Sequence, residues 1–174
     1  MNTVFETAGK FAAHAIWCVS DGSTLVPMFI ANQNGESTMH RIATATLEQA
    51  VTIGQGWLET GKIAEQNEQL SSAALLYEIR LTLGKEKMDA IAIDIRDYAH
   101  PESKATLCIP FTPKKGPMGL FGKFKVHRPK MTKWENCDQF KTDETAGGIL
   151  ERCRLARAGR QSVESIYGSI KITQ

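Results

Sequence analysis

From Thr3 to Val19, apolar residues recur at three- and four-residue steps: Val4, Phe5, Ala8, Phe11, Ala12, Ala15, Ile16 and Val19. This single stripe predicts an amphipathic helix. Ser20-Asp21-Gly22 ends it, the glycine being suited to the left-handed backbone of a helix terminus. Asp21-Gly22 is also a hairpin signal, and a strand over His14 to Val19 is the rival reading; the helix is preferred. Thr24 to Ala31 is rich in strand formers. Pro27 cannot donate a ladder hydrogen bond, so this strand is expected at a sheet edge or a bulge. Asn34-Gly35 supplies the turn of a hairpin whose return strand runs from Glu36 to Ala45. Thr46, with Gln49 three residues on, approximates a capping box for a second helix. That helix runs through Leu47, Ala50, Val51, Trp57 and Leu58 to Gly61, and Gly54 and Gly56 weaken it.

Beyond a polar connector at 62–72 the period changes to two. Leu75, Tyr77, Ile79, Leu81 and Leu83 mark the core side of one strand, and Gly84 to Lys87 reads as a hairpin loop. Ile91, Ile93 and Ile95 mark the core side of a returning strand, with Asp94 and Arg96 opposite. A turn at His100 to Ser103 leads to Ala105, Leu107, Ile109 and Phe111. The fold class is therefore α+β. A single domain is expected, with a mostly antiparallel sheet of about five strands (helix, β-hairpin, helix, three-stranded meander) and helices segregated to one face.

From Pro110 to Trp134, prolines and glycines break any period, which predicts a loop or arm. Thr142-Asp143-Glu144 then offers a helix start, and Ile149, Leu150, Cys153, Ala156, Val163, Ile166 and Tyr167 suggest a closing helix broken near Gly159. The expected organisation is a body at 1–111, a basic Pro/Gly-rich arm at 112–134 and a C-terminal helical extension at 135–174 of the same domain.

Charge adds a division that periodicity does not show. Residues 1–109 carry 8 basic and 13 acidic side chains, net −5, and residues 110–174 carry 13 and 6, net +7. The overall +2 hides a dipolar chain. Apolar residues at 42% and charged residues at 23% are near globular averages, which excludes a wholly disordered or collagen-like chain. The longest nearly apolar run, Phe11 to Val19, is less than half the roughly 20 residues of a membrane helix. Met1 to Glu6 has no basic leader, so a cytoplasmic location is expected. Cys18, Cys108, Cys137 and Cys153 match neither zinc nor thioredoxin spacing and read as free thiols; Arg152 and Arg154 flank Cys153 and favour its thiolate.

Lys114, Lys115, Lys123, Lys125, Arg128, Lys130 and Lys133 interleave with Phe121, Phe124 and Trp134. Cations neutralise phosphates and rings stack on bases, so nucleic acid is a coherent partner for 114–133. An anionic membrane surface suits the same residues, with Met118, Leu120 and Phe121 entering the interface. Alternatively the arm crosses its own acidic body. Glu78, Asp89, Asp94 and Asp97 form a second set. Glu78 and Asp94 occupy polar positions of adjacent strands, where two carboxylates within reach bind a metal or share a proton. Arg80 stands where a nuclease core has lysine, and charge pairing with Arg80 and Arg96 explains these acids without catalysis.

His14, His40, His100 and His127 show no metal spacing, and no nucleophile-elbow, phosphate-loop or dinucleotide motif occurs. No cofactor and no metal is expected. The first functional reading is a non-catalytic binding or interaction module using the basic, aromatic-bearing arm, with a protein partner or self-association ahead of nucleic acid. A small hydrolase or nuclease using the sheet carboxylates is the second. The third is a regulatory or assembly subunit self-associating through the edge strand that contains Pro27, with Trp57 and the arm beside it.

Overall fold

The computed structural model describes residues 4–64, 68–83, 86–113, 123–128, 130–135 and 171–173. The closing helix expected at 142–167 lies outside them. The chain forms α1 (Val4–Val19), β1 (Met28–Gln33), β2 (Glu36–Arg41), α2 (Leu47–Thr60), β3 (Ser72–Leu83), β4 (Glu86–Asp97), β5 (Lys104–Thr112), β6 (Lys125–Val126), β7 (Lys130–Glu135) and β8 (Lys171–Thr173). One sheet has the order β6-β5-β4-β3-β1-β2-β8, and β7 also pairs with β5. Every pairing is antiparallel except β2 with β8. This is an α+β fold on a mainly antiparallel sheet.

Two termination devices fix α1 and α2. Behind α1, the Ser20 N–H and hydroxyl both donate to the Trp17 carbonyl, and Gly22 takes φ 97°. At the start of α2 the Thr46 hydroxyl accepts from Gln49 N at 3.3 Å, and at its end Gly61, φ 66°, donates to the Trp57 carbonyl. Gly54 belongs to packing. A Cβ there would fall 2.5 Å from a Leu75 methyl carbon, so glycine lets the helix sit directly on the sheet.

Four expectations change. The strand after Pro27 is interior, because β1 pairs with β2 on one side and β3 on the other. Pro27 escapes the ladder by preceding it, and its carbonyl accepts from Ile42 N. The return strand stops at Arg41, four residues before Ala45.

The helices take opposite faces. Phe5, Phe11, Ile16 and Val19 of α1 pack on Ala74, Leu76, Ile91, Ile93, Leu107 and Ile109, whereas Ala50 and Leu58 of α2 pack on Phe29, Ala31, Ala73 and Leu75. The register explains this. Leu76 stands opposite Ile93 and Ala74 opposite Ile95, while Leu75 faces Asp94. The Leu75-Tyr77 row and the isoleucine row of β4 thus lie on opposite sides, and the sheet needs a cover on both. Finally, part of the expected arm is sheet edge: β6 pairs with Phe111–Thr112, β7 pairs with Lys104–Cys108, and His127 N between them donates to the Pro110 carbonyl.

Candidate functional site

The carboxylates do not form a pair. Glu78 stands opposite Ile91 on the α1 side, where its Oε2 accepts from Leu25 N at 3.3 Å. Asp94 stands opposite Leu75 on the α2 side, accepting from the Tyr77 hydroxyl at 2.9 Å and the Thr106 hydroxyl at 2.6 Å. The sheet separates them, so they cannot share a proton or a cation. Asp89 pairs with Arg80 at 3.2 Å, and Asp97 accepts from Ala99 N and meets His100 Nδ1. Among the described residues, no three His, Cys, Asp or Glu side chains converge.

What surrounds Asp94 is an anchor for α2. Burial, then the adjacent Asp94 carboxylate, push the Tyr77 phenol well above its usual range, so it stays a donor. The Tyr98 hydroxyl donates to the Leu58 carbonyl at 2.7 Å, and Arg96 meets Glu59 at 3.0 Å. Sequence reading missed Tyr77 and Thr106 as partners of Asp94. Its signal was the strand alternation itself, read one position out of register.

A second cluster joins the end of α1 to β2. Arg41 donates to His14 Nε2 at 3.2 Å, Cys18 Sγ lies 3.6 Å from the same nitrogen, and the His14 ring stacks on the exposed Trp17. Burial, then Arg41, lower the His14 pKa; burial raises the Cys18 thiol, against the pull of Arg41. A neutral imidazole beside a protonated thiol is the reverse of an activated nucleophile pair. Trp57 packs edge-on against Phe29 and His40, a core contact on the α2 side. A polar hollow of about 390 Å³ lies by the β1–β2 turn, lined by Gln33, Asn34, Glu36 and Thr38 with Ala31 and Leu70.

The basic edge lies across the sheet from that hollow. Phe124 and Val126 turn into the α1-side core, Phe124 with its ring 5.8 Å from Phe111. Lys123, Lys125 and Arg128 remain exposed. Lys125 stands opposite Thr112, whose hydroxyl lies 2.9 Å from His127 Nε2. In β7, Lys130 stands opposite Cys108, Lys133 opposite Thr106 and Trp134 opposite Ala105. Lys114, Lys115 and Phe121, with Met118 and Leu120, lie outside the described residues, as do Cys137 and Cys153. Of the expected contacts, then, Lys123, Lys125 and Arg128 are exposed and Phe124 is half-buried against the α1-side core.

No family model, curated protein or solved structure matches this chain. No helix among the described residues is long and apolar enough to cross a membrane.

Proposed function

We propose that the protein is a non-catalytic binding module whose contact surface is the basic edge formed by β6 and β7. One observation carries this reading: Lys123, Lys125 and Arg128 are exposed in and beside β6, while Phe124 and Val126 between them are turned inward. Lys125 is paired in the sheet and His127 N is held by the Pro110 carbonyl, so this stretch of backbone loses less chain entropy on binding than a free arm would. The separation of Glu78 from Asp94 removes the support for the hydrolase reading, and the interior place of β1 removes it for assembly through the Pro27 strand. A cytoplasmic location is part of the proposal, supported by the free thiols Cys18 and Cys108, which suit a reducing compartment.

Retention on a sulfated-dextran column tests the surface. Lys123→Glu with Lys125→Glu and Arg128→Glu is expected to elute at much lower salt than the wild type, and Lys62→Glu, an exposed control, close to it. Equal elution of the triple variant and the wild type would reject the basic edge.

A further inference from the structure

We infer that His14 and Cys18 form a binding site for a soft monovalent metal ion, copper(I), independent of the basic edge. The two residues stand one turn apart on α1, at the i and i+4 positions that share a helix face. Their ligating atoms, His14 Nε2 and Cys18 Sγ, are 3.6 Å apart. Metal bonds of about 2.3 Å to sulfur and about 2.0 Å to an imidazole nitrogen span that gap from a single ion, with an angle of roughly 110° at the metal. No backbone movement is needed.

The imidazole is already in the tautomer a metal requires. A guanidinium only donates, so the bond from Arg41 at 3.2 Å places the lone pair on Nε2, the atom that faces Cys18. The Trp17 ring, stacked with its centroid 5.9 Å away, steadies the imidazole plane. Burial and Arg41 keep His14 uncharged at neutral pH. Cys18 is half-buried and gives the ion a path from solvent. On binding, the S–H bond breaks, the sulfur bonds the ion and the proton leaves to water. Arg41, exposed at the end of β2, swings out, and the metal takes its place on Nε2.

Two features select copper(I). Among the described residues no third His, Cys, Asp or Glu joins the pair; zinc requires three or four protein ligands, whereas copper(I) accepts two or three ligands in all, with thiolate sulfur preferred. Charge points the same way. Copper(I) and one thiolate are neutral together, but a divalent ion would leave a net positive charge beside the Arg41 guanidinium.

The test is anaerobic titration of the full chain with the copper(I)–bicinchoninate complex, whose colour is lost as the protein takes the ion. Cys18→Ser sets the background from the other cysteines. The wild type is expected to withdraw a further equivalent beyond that background, releasing a proton with it. His14→Gln should hold that equivalent at least about tenfold more weakly while keeping the wild-type circular dichroism. Arg41→Gln removes the competing donor and should hold it more tightly, a gain that loss of folding cannot mimic. Equal withdrawal by the wild type and Cys18→Ser would overturn the inference. Unchanged affinity in His14→Gln would reduce the site to a thiol alone and overturn it as well. Weaker binding by Arg41→Gln, or zinc held at Cys18 as tightly as copper(I), has the same consequence.

Discussion

At the scale of single residues, His14 makes a pH-dependent contribution whose sign the geometry fixes. Its imidazole accepts from Arg41, and burial together with that guanidinium holds its pKa below the ordinary 6.5. The unfolded chain therefore binds the proton more readily. Stability from this group is complete above pH 6.5 and is lost as pH falls from there toward the folded value. Denaturant midpoints measured from pH 7.5 to 5 should decline, and His14→Gln should flatten part of the slope. His40, also lowered by burial, accounts for a further part. Around Asp94 the expectation concerns coupling. Tyr77→Phe should lose about 1 kcal/mol, and Asp94→Ala more, because two hydroxyls lose their acceptor. A double-mutant cycle between them should give a coupling of about 0.5 kcal/mol or more; strict additivity would mean that the bond contributes nothing.

Among the elements, α2 depends on one close approach. Gly54→Ala gains up to about 1 kcal/mol in helix propensity yet pushes a methyl into Leu75, and overpacking of about 1–3 kcal/mol should win. A urea midpoint above wild type would show that the helix can lift without cost. Lys125, exposed on β6, also blunts the sheet edge, and Lys125→Val should raise light scattering on concentration. These elements also show what the sequence made legible. The stripe Val4 to Val19, the Thr46 cap and the period-two runs each signal locally, and α1, α2, β3, β4 and β5 formed where expected. The sidedness of β3 was not legible: Ala74-Leu75-Leu76 is apolar on both sides, as a doubly covered strand must be, and its face is chosen by α1 and α2 together. Nor was the partner of β6 and β7, since glycine and proline hide a short edge strand and its pairing is set by β5. The candidate site was legible in its charges and illegible in its geometry, because Phe124 gives no sign in sequence of which way it points.

Across the whole molecule, the sheet is assembled from pieces made at very different times. β3, β4 and β5 follow one another and pair with their neighbours, so a large part of the sheet forms from local contacts. β2 is different: its outer side pairs with β8, and 133 residues separate Thr38 from Lys171. At the usual pace of about 5–20 residues per second, the hairpin leaves the ribosome on the order of 10 seconds before its last neighbour exists. Throughout that interval, the N–H and C=O groups of Thr38 to His40 that β8 will later engage face outward. The nascent chain thus carries an open sheet edge at β2 until β8 has been made.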